Sequence, residues 1–333
     1  MVSEDLPPGV IVAQLLLPPC AGAFPSATLA KDAAPGCRVG KRGRKRAMKM
    51  EAKVLGALAA HAALWEIHVA PKPGLVDRLN RGAHGDMDYA LFLRSAQALA
   101  PLWSLPGEVG LKGTPPEEAL APLRNHGIAM EGAMFQATGG VNTHKGLIYV
   151  LSLLLYGAGR AIFLGLPPVP EAVCALGGEP CRNAVRDELV PLLAGDPHRP
   201  LTHGEALFRS HGVTGVRGEA ARGFPSLRRG GVPAFFYSLR QGNSWHDAAL
   251  DALLVLMEIC EDSNIMHRGG YDFWRGPYRQ LVRASRRRLR EGGPRGEILA
   301  ALDETITSKR LSPGGAADLL TGTLFLALVA PTP

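Results

Sequence analysis

From Glu51 onward, Val54, Leu55, Leu58, Ala62 and Trp65 recur at spacings of three and four, which puts them on one face of a helix. Ala59 to Leu64 adds strong helix formers. Pro71 and Pro73 then stop it, because proline donates no hydrogen bond and restricts the residue before it. The pattern predicts a second helix over Met87 to Trp103, with Asp86 as its N-cap and Tyr89, Phe92, Leu93, Ala96 and Leu99 inward. A third is predicted over Pro116 to Gln136, and a fourth from the end of "TGGVNTHKG" to about Tyr156. Further helices are expected over Cys181 to Leu193, Leu201 to Ser210, Trp245 to Cys260, Arg275 to Arg290, Arg295 to Ile306 and Gly314 to Leu328. No run alternates with period two for long. The expectation is therefore an all-α fold: one multi-helix, bundle-like domain over residues 49–330, with glycine-rich polar loops at the helix joins.

Residues 1–48 are rich in Pro, Ala and Gly and lack sustained periodicity, which predicts a poorly ordered, basic extension. Charge sharpens this division. The net +7 is concentrated between Arg38 and Lys53, which holds eight basic residues and one acid, leaving 29 basic and 29 acidic residues elsewhere. The basic run reads as a solvated arm rather than a nucleic-acid surface. Five widely spaced cysteines with no CxxC pair argue against a disulfide framework and fit a reducing cytoplasm. The apolar run "GVIVAQLLLPPC" follows Glu4 and Asp5 with no preceding Lys or Arg, unlike a signal peptide, and Leu147 to Leu155 is about half a membrane span. A soluble, cytoplasmic protein is expected, and bundles of this size often form homodimers.

Polar residues gather at five helix joins: "PKPGLVDRLNRGAHGDMD", "EGAMFQATGGVNTHKG", "THGEALF", "GVTGVRGEAARGFPS" and "EDSNIMHRGG". In "TGGVNTHKG" the glycines admit close backbone approach to a ligand. The helix start offers unpaired donors and Lys145 a cation, so the segment suits phosphate, although a glycine turn with a Thr cap accounts for the same residues. In the first cluster, Lys72 and Arg78 are cations, Asp77, Asp86 and Asp88 are carboxylates, and His84 can exchange a proton near neutral pH. Carboxylates beside phosphate-binding cations commonly hold Mg2+, and helix capping is the competing reading, strongest for Asp88. Glu205, Arg217, Glu219, Asp262 and Arg268 are equally explained by structural ion pairs.

Taken together, "PKPGLVDRLNRGAHGDMD", "GGVNTHKG", "THGE", "VRGEAARGFPS", "DSNIMHRGG" and "LSPGGAADLL", in this order between Glu51 and Leu328, resemble the triphosphoribosyl-dephospho-CoA synthase family. That family prepares the prosthetic group of citrate lyase, with a near relative serving malonate decarboxylase. The resemblance implies that ATP gives its triphosphoribosyl unit to the 2′-hydroxyl of 3′-dephospho-CoA as adenine leaves, and that a separate transferase loads the product onto the acyl-carrier protein. It implies Lys72, Arg78, Asn80, Gly140, Asn142, Thr143, His144 and Lys145 around the triphosphate, with Arg217 and Arg268 on the second nucleotide. Asp77, Asp86 and Glu131 would hold Mg2+ or stabilise the cationic centre, and His84 or Glu219 would take the hydroxyl proton. Rival readings are a hydrolase using the same pocket, a non-catalytic nucleotide- or CoA-binding partner, and a nucleic-acid protein resting on the basic arm alone.

Overall fold

The computed structural model describes residues 41–194 and 200–330; the expected extension over residues 1–48 lies outside them except for its last eight residues, which are helical. Every regular element among the described residues is helical, as the periodicity requires.

In chain order the helices are α1 (Lys41–His68), α2 (Tyr89–Leu99), α3 (Ser104–Leu111), α4 (Pro116–Thr138), α5 (Lys145–Phe163), α6 (Pro170–Gly178), α7 (His203–His211), α8 (Gly215–Ala221), α9 (Val232–Arg240), α10 (Trp245–Ile259), α11 (Ser263–Gly269), α12 (Arg279–Arg290), α13 (Arg295–Ser308) and α14 (Gly314–Val329). The centre is α5, packed against α3, α6 and α14. It is long and apolar enough to cross a membrane, yet most of it is buried inside the bundle, where Leu151, Leu154, Leu155 and Tyr156 are fully enclosed. Each fully buried leucine contributes about 1.5–3 kcal/mol relative to exposure.

Glycine sets how closely these helices pack. A Cβ on Gly157 of α5 would lie 2.2 Å from the Val173 carbonyl of α6, and one on Gly110 of α3 would lie 2.2 Å from the Tyr156 carbonyl of α5. The α3, α5 and α6 backbones therefore touch directly. Glycines within α3, α6, α8 and α11 lower local helix propensity, so these short helices escape the periodicity reading, as does α9, which has a proline in its first turn.

Two expected boundaries change. The N-cap of α2 is Asp88, whose Oδ1 accepts from the Leu91 N–H at 2.9 Å, and Asp86 instead lies in the loop before it. The helix expected over Cys181 to Leu193 is a series of short turns, Glu179–Cys181, Val185–Leu189 and Val190–Leu193, because Pro180 and Pro191 interrupt the ladder. "THGE" forms a capping box at α7: Thr202 N–H donates to Glu205 Oε2 at 2.8 Å and Glu205 N–H to Thr202 Oγ1.

Candidate active site

The N-terminal ends of α5 and α14, with the loop after α1, enclose a cavity of about 580 Å³. Helix starts carry unpaired N–H groups and partial positive charge, which predisposes this space to anions.

The loop after α1 is held by Asp77. Its carboxylate accepts from the N–H groups of Lys72 (2.7 Å), Leu79 (2.7 Å) and Asn80 (3.1 Å), so it organises backbone and lies off the cavity. Asn80 is likewise a staple, bonding Gly82 N–H and Asp303 of α13. Arg78 is exposed and off the cavity wall. Lys72 is on the wall, almost wholly buried, with its ammonium 2.5 Å from Glu66 Oε1 and 2.9 Å from the Glu66 carbonyl. His84 lies beside Ser312, Nε2 to Oγ 2.7 Å, and Asp86 Oδ1 is 3.7 Å from its Nδ1. Burial, then Arg268, lowers the His84 pKa, with Asp86 opposing. Asp86 lines the cavity with its side chain 65% exposed.

The α4–α5 connection behaves differently from a phosphate-gripping glycine loop. Gly139 and Gly140, at φ 66° and 90°, end α4, and both N–H groups go to the Phe135 carbonyl. The cavity instead receives Asn142, Thr143, His144 and Lys145. Asn142 Oδ1 caps the Lys145 N–H at 3.1 Å, and Lys145 Nζ meets Glu131 at 2.9 Å. His144 is buried; burial first and Lys72 second push its pKa down to about 3, so the ring is neutral.

Glu219 of α8 lines the cavity and accepts from Ser226 N–H (2.7 Å) and Oγ (3.0 Å); burial raises its pKa against those bonds. Arg268 of α11 also lines it, donating to the carbonyls of Ala83 and Arg310. Arg217 points elsewhere, to Glu188 at 3.1 Å. Nine of the residues singled out from sequence thus meet at one cavity: Lys72, His84, Asp86, Asn142, Thr143, His144, Lys145, Glu219 and Arg268.

An acid that sequence reasoning left without a role, Asp318, completes the cavity, with Asp262 buried behind its wall. Asp318 of α14 is half-buried and faces the cavity; its carboxyl takes the Leu147 N–H at the start of α5. A Cβ on Gly146 would sit 2.0 Å from Asp318 Oδ2, so the glycine of "THKG" makes room for this acid. Burial, then the charges of Asp262 and Glu66, hold Asp318 well above the ordinary aspartate range. Asp262 ties α11 to α14 by accepting from Asn264, Ile265 and Ala316 N–H, and burial raises it to about 6 against those bonds. Asp318 had a signal in "LSPGGAADLL", and Glu66 had one as a charge on the apolar face of α1.

Among the described residues no group of three His, Cys, Asp or Glu is gathered for a metal ion. A Mg2+ carried on phosphates would need only one or two carboxylates, and Asp86, which faces both cavity and solvent, would suit it.

The ensemble is a candidate enzyme site in a helical fold: an anion-receptive cavity with an acid whose pKa burial raises, a neutral imidazole and fixed cations. Residues 52–332 match the ATP:dephospho-CoA triphosphoribosyl transferase family, and the chain belongs to that family of ribosyl-group transferases. It is 40% identical over 282 residues to a probable 2-(5''-triphosphoribosyl)-3'-dephosphocoenzyme-A synthase of Albidiferax ferrireducens, covering 83% of this chain and 90% of the relative. A protein of the same description from Streptococcus mutans is 36% identical over 290 residues, covering 83% and 96%. No solved structure matches the chain significantly.

Proposed function

We propose that the protein transfers the triphosphoribosyl group of ATP to the 2′-hydroxyl of 3′-dephospho-CoA, releasing adenine and making the prosthetic-group precursor of citrate lyase. The observation that carries this reading is the pairing, in one cavity, of a cationic helix start at Lys145 with Asp318, a carboxyl group whose pKa is raised well above the ordinary aspartate range. The reaction needs both: the bond from ribose C1′ to adenine breaks, a bond from C1′ to the acceptor oxygen forms, adenine gains a proton and the hydroxyl loses one.

In this mechanism Lys145, Asn142, Thr143, His144 and Lys72 hold the triphosphate, and Glu131 orients Lys145 through their ion pair. Asp86 meets the Mg2+ that accompanies ATP. Asp318 protonates adenine as it leaves, a role that contributes about 10²–10⁴-fold to such reactions. His84, whose pKa burial lowers, or Glu219 in its carboxylate form accepts the hydroxyl proton. Arg268 contacts the second nucleotide. Holding two nucleotides in line lowers the barrier further. The citrate lyase branch rests on "LVDRLNRGAHGDMD" and "HRGG", and a cytoplasmic location on the free, buried Cys174, Cys181 and Cys260.

The test is incubation of the full chain with ATP, Mg2+ and 3′-dephospho-CoA, with the acceptor followed by mass. A triphosphoribosyl gain matched by adenine is expected. Adenine released without acceptor would make the protein a hydrolase, and no product under any condition would leave a binding protein.

A further inference from the structure

The two ring nitrogens of His144 have opposite fates. Nδ1 lies 2.6 Å from Ser95 Oγ, while Nε2 is buried with no partner. Ser95 is fully buried on the inward face of α2, and it also accepts the hydroxyl of Thr143 at 2.7 Å. With Thr143 donating to Ser95, the Ser95 hydrogen is directed to Nδ1. An imidazole that accepts at Nδ1 carries its proton on Nε2. Phe92, edge-on to the ring with centroids 5.0 Å apart, fixes the ring plane.

We infer that Ser95 is a positioning residue: with Thr143 it holds His144 in the Nε2–H tautomer, so that the cavity presents a neutral, fixed hydrogen-bond donor to an anionic oxygen of the bound nucleotide. A buried donor left without a partner is unfavourable in the empty protein, and a ligand oxygen relieves it. Asn142, Lys145 and the start of α5 line the same cavity and favour an anion as that ligand. A neutral donor adds a directed bond beside Lys72 and Lys145 without a third positive charge. The inference rests on the nucleotide-binding reading of the cavity but not on the reaction.

The test uses full-length protein with 15N-labelled histidine. In the free protein His144 should show a pyrrole-type Nε2 and a pyridine-type Nδ1 throughout the neutral range, and Ser95→Ala should mix the two tautomers. Calorimetry with ATP, and separately with inorganic triphosphate, should show both binding about tenfold more weakly to Ser95→Ala, the loss of one oriented bond to a charged group. Thr143→Val should repeat both effects and covers the case in which Ser95→Ala fails to fold, while Thr143→Ser should restore the native spectrum and affinity. An Nδ1–H ring or an imidazolium in the free protein overturns the inference, as does unchanged triphosphate affinity in a variant whose tautomer has shifted. Ser95-dependent triphosphate binding without adenine release would leave it standing and count against the reaction alone.

Discussion

The two ends of α5 use glycine for opposite purposes. At the C-terminal end, Gly157 lets the α6 backbone approach until no side chain fits between, and the neighbouring Leu154, Leu155 and Tyr156 have no exposed surface. At the N-terminal end, Gly146 opens the same kind of space, and a carboxyl group fills it. Around that carboxyl stand a buried ion pair, a neutral histidine with an unused donor, and a second acid raised to about 6. One end spends a small residue on close packing; the other holds groups that would be more stable in water. Polar burial without full compensation is what supports placing the ligand at that end.

The contrast can be broken most severely at the packed end. Gly157→Val sets a branched side chain against the Val173 carbonyl, where the obstacle is backbone, so a loss of about 3 kcal/mol or more is expected by denaturant unfolding, with little soluble protein. At the cavity end Lys72→Met leaves Glu66 buried and unpaired, which costs about 3–5 kcal/mol, and the double variant with Glu66→Gln should recover much of it. Unfolding measured against pH sharpens the difference. Asp262 and Asp318 titrate higher in the folded chain than the ordinary aspartate value near 4, so the folded state binds more protons in that window. Their contribution to stability is therefore complete below pH about 4 and is lost as pH rises, for Asp262 through about 6, and Asp318→Asn should flatten this slope. The smallest effect belongs to Glu131→Gln: its pair with Lys145 is solvent-exposed, so stability should change by less than about 1 kcal/mol while KM for ATP rises.

The long helices α1, α4, α5 and α10 were readable because their apolar positions persist over several turns. α3 and α6 were not, since "SLPGEVGL" and "PEAVCALGG" carry the prolines and glycines that normally end helices, and only the facing α5 backbone explains them. The site divides similarly. Residues clustered in sequence, such as Asn142 to Lys145, stood out together, and Asp88 proved to be the cap that its spacing allowed, whereas Glu205, read as an ion-pair candidate, is part of a capping box. Pairs made by the fold stayed hidden. Nothing in "THKG" announces that its glycine accommodates Asp318 from the last helix, and Ser95 reads as a small polar residue on an apolar face until His144 is set against it. Asp77 and Gly140 looked like ligand-binding residues because the loop geometry they impose uses the same residue types.

The most direct measurement is Asp318→Asn assayed for thermal unfolding and for acceptor-dependent adenine release in the same preparation. The account predicts a melting temperature at neutral pH equal to or above that of the native chain, because a buried acid is replaced by a neutral amide, together with a fall in release of about 10²–10⁴-fold. Native release from a stably folded Asp318→Asn protein would contradict it.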